Sequence, residues 1–241
     1  MNSEFDYPPM IILAGGFGTR LKGVLNGMPK PLANINGKPF LQHLFENWIE
    51  KGFNNFILSL HYEADKIIQF VETNKHGLLK NSKVRYIVEP LPLGTGGAIS
   101  FIVKNIELGE SFFVVNADTW VKDGYSILNK YEENVIGIIK VENTNRYGRI
   151  ILDNSNLIKK FEEKNEFNIS GYINIGVYKF SKSNFIDWDE FPYSLENDLF
   201  PRLVKSKKIK GVLIDTEFID IGIPEDYYKF CKSKQIINES R

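Results

Sequence analysis

The sequence predicts an α/β fold: a Rossmann-like central sheet, mostly parallel but mixed, flanked by helices and carrying a strand-rich insertion. Two observations lead to this prediction. Short apolar runs alternate with segments of helical period along most of the 241 residues, a pattern typical of parallel strands connected by helices. From about Val135 to Tyr178, strand-like runs follow one another without a long helix between them, which indicates an insertion of further strands.

Each element has its own signal. The apolar runs predict strands at 10–14, 55–60, 83–88, 111–116, 135–141, 148–152, 171–180 and 210–214. Between the first two strands, apolar residues recur at helical spacing and predict a helix that packs against the core; they are Phe40, Leu41, Leu44, Phe45, Trp48 and Ile49.

Composition narrows the class of protein. The chain is long enough for one large α/β domain with a real core, and no internal repeat or linker marks a second domain. Lys plus Arg and Asp plus Glu number 30 each, so no global field favours nucleic acid or an anionic membrane. Cys231 is the single cysteine, which excludes an intramolecular disulfide and is consistent with a reducing compartment. We expect a cytoplasmic protein without a targeting signal or a nucleic-acid or membrane partner.

A glycine-rich turn follows the first predicted strand. Gly15, Gly16 and Gly18 follow an apolar run and precede Thr19 and Arg20. Glycines allow consecutive backbone N–H groups to converge on an anion, and a guanidinium adds a charged fork suited to phosphate. The turn lacks the third glycine of a dinucleotide-binding fingerprint and the ending of a P-loop. It favours a triphosphate site, and an ordinary turn with incidental glycines is the alternative.

Lys30 stands between two prolines, Pro29 and Pro31. Because proline fixes its own φ and pushes the preceding residue towards an extended conformation, the lysine stem leaves a stiffened backbone. This pattern predicts a rigidly presented cation close to the glycine turn. A solvated loop lysine is the commoner alternative.

Two aspartates follow apolar runs. Asp118 follows the predicted strand 111–116, and Asp220 follows Phe218 and Ile219. Open α/β sheets bind ligands at the carboxyl ends of their strands, and Mg²⁺ is usually held by one or two carboxylates together with substrate phosphates. The pair predicts a Mg²⁺ site, although each aspartate is equally suited to capping the turn that follows it.

Several motifs together resemble those of the sugar-nucleotide pyrophosphorylases, also called nucleotidyltransferases. They follow the family's order and spacing over nearly the whole chain, at 15–21, 29–31, 92–98, 116–118, 161–164, 174–178 and 218–224. Arg20-Leu21-Lys22 without a following Pro-x-Thr, and Gly-Lys-Pro-Phe-Leu at 37–41, are most similar to the D-glycero-D-manno-heptose 1-phosphate guanylyltransferases. Ala117 stands where many relatives have glycine.

The resemblance implies one nucleotidyltransferase domain over 1–241, with a nucleotide-binding part at about 8–134, a sugar-binding part at about 135–222 and a C-terminal helix at 224–238. It implies that Arg20 and Lys30 are catalytic contacts to the triphosphate and that Asp118 and Asp220 hold Mg²⁺. The nucleotide-binding set that it implies is Leu13, Ala14, Gly15, Gly16, Gly18, Thr19, Glu89, Gly94, Thr95 and Gly96.

For four of these nucleotide-binding residues, the local sequence also supports the assignment. Gly94, Thr95 and Gly96 follow a proline-containing turn and begin a predicted helix, where N–H groups are suited to meet nucleotide or sugar groups; a plain helix start is the alternative. Glu89 ends the predicted strand 83–88. A carboxylate there can accept hydrogen bonds from both the N1–H and the amino group of guanine, whereas uracil and thymine offer only one such donor on that edge.

The residues expected to bind the sugar 1-phosphate follow from the family resemblance. It implies that the sugar 1-phosphate is bound by Tyr147, Gly148, Glu163, Lys164 and Asn174. The alternatives are a solvated charge run for Glu163 and Lys164, a turn for Tyr147 and Gly148, and a strand-interior amide for Asn174. The three histidines, His43, His61 and His76, have no metal-ligand spacing and are expected to be structural.

The function implied is transfer of a nucleotide from an NTP, with GTP favoured, to a sugar 1-phosphate, with D-glycero-α-D-manno-heptose 1-phosphate favoured. Mannose, glucose or N-acetylmuramic acid 1-phosphate with another NTP is the nearest alternative. A non-catalytic sugar-nucleotide sensor and a glycosyltransferase are more distant alternatives. A sensor would have lost the phosphate-binding and metal-binding residues, which are present here, and a glycosyltransferase usually presents Asp-x-Asp at the metal, where this chain has Asn116-Ala117-Asp118. Family members differ in oligomeric state, so a homo-oligomer stays open.

Overall fold

The computed structural model describes residues 7–25, 27–132, 134–163 and 168–239. Contacts divide the chain into two compact units. Unit 1 comprises Met1–Pro92, Asn116–Lys122 and Glu217–Arg241, and unit 2 comprises Leu93–Val115 and Asp123–Thr216. Each unit is assembled from separate stretches, so the units cut across the division expected at about residue 135. The single domain over the whole chain stays a prediction.

The elements run in the following order. The strands are β1 Met10–Leu13, β2 Asn34–Ile35, β3 Lys38–Pro39, β4 Asn55–Leu60, β5 Lys83–Val88, β6 Ser111–Asn116, β7 Thr119–Val121, β8 Asn134–Val141, β9 Arg149–Leu152, β10 Ile158–Glu162, β11 Gly171–Ser181, β12 Ile209–Leu213 and β13 Phe218–Asp220. The helices are α1 Lys22–Leu25, α2 Phe40–Glu50, α3 Ala64–Asn74, α4 Gly94–Asn105, α5 Tyr125–Asn129, α6 Phe200–Lys205 and α7 Pro224–Glu239.

Unit 1 contains three parallel strands. β4 pairs with β1 on one side and with β5 on the other. The predicted apolar stripe forms α2, whose Phe40, Leu44, Phe45 and Trp48 are buried. The Phe45 ring packs edge-on against Phe56 of β4, with ring centroids 5.1 Å apart. The helical spacing of apolar residues therefore fastens α2 to the sheet that carries the glycine turn.

A two-stranded antiparallel ribbon of β7 and β13 also belongs to unit 1. The buried Asn47 side chain of α2 donates a hydrogen bond of 3.0 Å to the carbonyl oxygen of Val121. On the ribbon, Trp120 packs against Phe230 of α7, with ring centroids 5.4 Å apart. Contacts from two helices therefore hold the ribbon in place.

Unit 2 is built around β11. This long strand pairs antiparallel with β6 and β8, and β12 adds to β8 in parallel. β9 and β10 form an antiparallel pair. Lys179 of β11 is buried, and its ammonium donates to the carbonyl oxygens of Asn129 and Tyr131. Its charge is satisfied by the backbone, as burial of an ammonium requires.

All the predicted strands are present, with ends that differ by at most one residue, and the predicted C-terminal helix corresponds to α7. β10 was not predicted. Its pairing register shifts between Ile158 and Lys160, and the adjacent exposed residues Lys159 and Lys160 are more typical of a solvated charge run than of a strand. In the described part of the chain, no helix is long and apolar enough to cross a membrane.

Candidate active site

Three segments of unit 1 lie at one edge of its parallel strands. The glycine turn follows β1, His61 follows β4, and Glu89 follows β5. Parallel pairing brings the carboxyl ends of these strands to the same edge, which is where open α/β sheets bind ligands.

The glycine turn presents its backbone as an anion site. Within the described part of the chain, no backbone N–H group from Gly15 to Arg20 donates a hydrogen bond to another protein group. Gly18 has φ +59°, a conformation that favours glycine. A Cβ atom on Gly16 would meet no atom within 4 Å, so the turn is open at that point. Arg20 follows in a short 3₁₀ turn and is exposed.

Glu89 lies beneath this turn. Its side chain is buried, with 7% exposed, and its Oε1 accepts a hydrogen bond of 2.9 Å from the Ser59 hydroxyl. A Cβ atom on Gly15 would lie 3.2 Å from that same Oε1 and 3.2 Å from His61 Cβ. His61 Nδ1 lies 3.2 Å from the carbonyl oxygen of Glu89. The glycine therefore allows the turn to approach a held carboxylate closely.

Lys30 contacts both predicted metal-binding aspartates. Its Nζ lies 2.6 Å from Asp118 Oδ2 and 3.8 Å from Asp220 Oδ1. The Lys30 side chain is 10% exposed, whereas those of Asp118 and Asp220 are 36% and 30% exposed. The lysine is therefore not a solvated loop residue, and the two carboxylates face one cation.

The ribbon explains why the aspartates meet. In the antiparallel register Thr119 lies opposite Asp220, and the N–H of Ile221 donates to the carbonyl oxygen of Asp118. Asp220 Oδ1 also accepts a bond of 2.7 Å from the N–H of Gly222. The turn-capping role considered as an alternative for Asp220 thus exists alongside its contact with the cation.

Charge is concentrated at this point. Burial raises the pKa of the Asp220 carboxyl, and the neighbouring Asp118 carboxylate raises it further. The Lys30 ammonium, the N–H of Gly222 and the Arg20 guanidinium oppose this rise in pKa. A bound cation would relieve the repulsion between the two carboxylates.

The donor set fits a hard divalent cation. Carboxylate oxygens are preferred Mg²⁺ ligands, and Mg²⁺ usually takes only one or two carboxylates together with phosphate oxygens and water. Among the described residues, no cluster of three or more His, Cys, Asp or Glu side chains forms a complete protein cage. Asp118 and Asp220 therefore suit a metal that arrives with a phosphate ligand, and the Mg²⁺ assignment stays a prediction.

The start of α4 in unit 2 is capped by another part of the chain. The N–H groups of Gly96 and Gly97 donate to the carbonyl oxygen of Tyr193, at 3.0 and 3.2 Å. Thr95 Oγ1 donates to Glu196. Nucleotide binding by Gly94, Thr95 and Gly96 stays a prediction.

The predicted sugar-phosphate residues lie in unit 2. Gly148 has φ +69°, and Glu163 is exposed directly after β10. Asn174 donates to the Tyr178 hydroxyl and accepts from the N–H of Gly176, so its amide supports the irregularity in β11. Tyr147 closes a turn onto Thr144. Lys164 lies outside the described residues. These assignments stay predictions.

Sequence reasoning missed four supporting residues. The Ser59 hydroxyl holds the Glu89 carboxylate, and His61 lies beside the Glu89 backbone. His61 is expected from sequence to be structural, and its place directly after β4 is the signal that puts it at this edge of the sheet. Gly222 leaves room for the Asp220 carboxylate, since a Cβ atom there would lie 2.8 Å from Asp220 Oδ1. Tyr193 had no sequence signal, since it lies far along the chain from the helix that it caps.

An open glycine turn, a held carboxylate beneath it and two paired aspartates lie in unit 1, where the motifs predict a nucleotidyltransferase site. The profile of the nucleotidyl transferase family matches residues 9–235. The chain belongs to the nucleotidyl transferase family, as the motifs predicted.

Two named relatives show which members of the family this chain resembles. The chain is 37% identical over 222 residues to D-glycero-alpha-D-manno-heptose 1-phosphate guanylyltransferase of Campylobacter jejuni, covering 91% of this chain and 97% of that protein. It is 34% identical over 231 residues to the enzyme of the same name from Aneurinibacillus thermoaerophilus, covering 93% and 97%.

A solved structure is also similar to this chain over most of its length. The crystal structure of HddC from Yersinia pseudotuberculosis matches with a TM-score of 0.84 and 39% identity, covering 94% of this chain and 99% of that one. HddC has also been solved in complex with GMP-PN, and that structure matches with a TM-score of 0.81. The predicted fold class, a mixed and mostly parallel central sheet flanked by helices with added strands, is confirmed.

Proposed function

We propose that this protein transfers a guanylyl group from GTP to D-glycero-α-D-manno-heptose 1-phosphate, forming the GDP-heptose and pyrophosphate, with Mg²⁺ as its metal. The observation that carries the proposal is the site in unit 1, where an open phosphate-binding turn, a buried carboxylate and two aspartates facing one cation occur together. We expect the protein to act in the cytoplasm.

The reaction requires alignment more than acid–base chemistry. A phosphate oxygen of the sugar 1-phosphate attacks the α-phosphorus of GTP, and the bond from that phosphorus to the bridging oxygen of the β-phosphate breaks. The electron pair leaves with pyrophosphate. The attacking oxygen is already ionised, so no protein nucleophile or strong base is needed. Positioning and neutralisation of phosphate charge supply the catalysis.

The residues of unit 1 suit these tasks. N–H groups of the glycine turn bind phosphate oxygens, since no group among the described residues accepts a hydrogen bond from them. The exposed Arg20 guanidinium neutralises charge on the departing pyrophosphate. Asp118 and Asp220 would hold Mg²⁺, which supplies positive charge to the phosphate oxygens when bound. Lys30 supplies an ammonium to the same region.

Base choice is assigned to Glu89. A carboxylate accepts hydrogen bonds from both the N1–H and the amino group of guanine. The Ser59 hydroxyl holds this carboxylate beneath the turn, and the backbone N–H of Glu89 donates to the carbonyl oxygen of Leu60 at the end of β4, at 2.7 Å. The guanylyltransferase names of the relatives and the GMP-PN complex of HddC support GTP.

The heptose assignment is supported by the names of the two curated relatives. In this chain, we assign the sugar 1-phosphate to Tyr147, Gly148, Glu163, Lys164 and Asn174. Mannose 1-phosphate is the nearest alternative acceptor.

A pyrophosphate-release screen tests the proposal. Purified protein is mixed with each of the four NTPs and with a panel of sugar 1-phosphates in the presence of Mg²⁺. We expect the highest kcat/KM with GTP and D-glycero-α-D-manno-heptose 1-phosphate, and no release after the metal is chelated. If mannose 1-phosphate gave the highest kcat/KM, it would replace the heptose 1-phosphate as the proposed acceptor. If no combination of NTP and sugar 1-phosphate released pyrophosphate, the proposed activity would be contradicted.

A further inference from the structure

Lys30 reaches from the phosphate-binding turn to the aspartates. A Cβ atom on Gly18 would lie 3.2 Å from Lys30 Cβ, so the stem of the lysine lies against the glycine turn. At the other end of the same side chain, Nζ contacts Asp118 at 2.6 Å and lies 3.8 Å from Asp220. One side chain therefore spans both halves of the phosphate and metal site.

The base of this side chain is held firmly. Pro29 and Pro31 restrict the backbone on either side, and Lys30 begins a short 3₁₀ turn over Lys30–Leu32. The N–H of Ala33 donates to the carbonyl oxygen of Lys30. Movement of Nζ must come from the torsions of the flexible four-carbon stem.

The ammonium lies where a divalent cation would be bound. A metal shared by Asp118 and Asp220 would be held by the same two carboxylates that face Lys30 Nζ, and two cations a few ångströms apart repel each other. Among the described residues, no other lysine or arginine lies within ion-pair distance of either aspartate. A metal and the ammonium would therefore compete for the same two carboxylates.

We propose that Lys30 is the resident counter-cation of Asp118 and Asp220, and that a divalent ion enters only as its ammonium moves to the phosphate oxygens of the nucleotide. Lys30 thus has a positioning role before substrate binding, in addition to its contact with the triphosphate. The inference rests on the proposed function, because it assumes that these aspartates bind the metal. It makes the nucleotide and the metal enter together, with the free metal bound weakly.

Mn²⁺ binding to the nucleotide-free protein tests the exchange. Electron paramagnetic resonance measures free Mn²⁺ during titration of the wild type, Lys30→Met and Lys38→Met. Lys38 is a matched control because it also forms a lysine–carboxylate pair, with Glu46 at 2.9 Å, but contacts neither aspartate. We expect Lys30→Met to bind Mn²⁺ at least about tenfold more tightly than the wild type, since a nearby unit charge opposes a divalent ion strongly. We expect Lys38→Met to change the affinity less than about twofold, as a pair between exposed groups should.

The gain must depend on the aspartates. Adding Asp220→Asn to Lys30→Met should abolish the tighter Mn²⁺ binding. Equal or weaker Mn²⁺ binding by Lys30→Met, or an equal gain in Lys38→Met, would overturn the proposal. Circular dichroism checks that each variant folds, and Lys30→Gln provides a second neutral side chain if Lys30→Met does not fold.

Lys30→Arg separates charge from the loss of the lysine stem. It keeps the positive charge, so we expect Mn²⁺ binding as weak as in the wild type, and binding as tight as in Lys30→Met would overturn the exchange. The binding assay uses no substrate. Failure of guanylyl transfer with the Mn²⁺ results intact would contradict only the proposed function.

Discussion

At the scale of single residues, the site depends on charged groups whose surroundings set their roles. Glu89 is buried and held by Ser59, whereas Arg20 is exposed on the glycine turn. A fixed acceptor suits recognition of a base, and an exposed fork suits a phosphate that leaves. The two residues therefore lend themselves to separate tests.

Replacing Glu89 should change base selection. In Glu89→Gln, one acceptor oxygen becomes an amide N–H₂ group, which cannot accept a hydrogen bond from guanine. We expect kcat/KM for GTP to fall by about 10- to 100-fold, as loss of a charge-assisted hydrogen bond predicts, while kcat/KM for UTP changes little. Steady-state kinetics with both nucleotides measures this. Equal losses for GTP and UTP would mean that Glu89 supports the turn and does not read the base.

Replacing Arg20 should separate geometry from charge. Arg20→Lys keeps the positive charge but exchanges a planar fork for a point donor. If the fork acts mainly in the transition state, the single-turnover rate should fall by about 10²-fold with little change in the Kd of GTP. Rapid-quench kinetics and titration calorimetry give the two values, with Arg20→Ala as the variant that lacks both features. A loss confined to the Kd would show that Arg20 merely holds the nucleotide.

At the scale of elements, close backbone approach fixes the start of α4. A Cβ atom on Gly96 would lie 2.2 Å from Tyr193 Cε2, and the Tyr193 carbonyl caps the helix. Tyr193 also forms a 2.7 Å hydrogen bond with Ser100 through its hydroxyl, so its ring has a partner at its far end.

Gly96→Ala should therefore destabilise the fold. Overpacking of a well-packed site typically costs about 1–3 kcal/mol, and we expect a loss of that size in the free energy of unfolding. Gly109→Ala is the control, because a Cβ atom there would meet nothing within 4 Å. Urea unfolding of both variants measures the difference. Equal stability of the two variants would contradict the packing described for Tyr193.

How much of this could be predicted depends on distance along the chain. The strands and α2 follow from local periodicity, and the glycine turn and each aspartate follow from their places after apolar runs. The β7–β13 ribbon could not be predicted, because its strands have three residues each and their pairing is long-range. The contact of Lys30 with Asp118 depends on that ribbon. The Tyr193 cap is missed for the same reason.

At the scale of the whole molecule, family membership and the chemistry of unit 1 support the same activity. The nucleotidyl transferase profile spans residues 9–235, and unit 1 contains the turn, Glu89, Lys30 and both aspartates. The residues assigned to the sugar lie in unit 2. We propose that the residues of unit 1 catalyse nucleotidyl transfer.

The most direct test is ³¹P NMR of GTP and D-glycero-α-D-manno-heptose 1-phosphate mixed with the protein and Mg²⁺. We expect the signals of both substrates to be replaced by the paired phosphorus signals of a GDP-heptose and by pyrophosphate in equal amounts. Asp220→Asn should slow this conversion at least about 100-fold, because a metal-bound carboxylate supplies several kcal/mol of charge stabilisation, while Asp187→Asn, at an exposed position, should not. Inorganic phosphate from GTP hydrolysis with no GDP-sugar, or full activity in Asp220→Asn, would contradict the account.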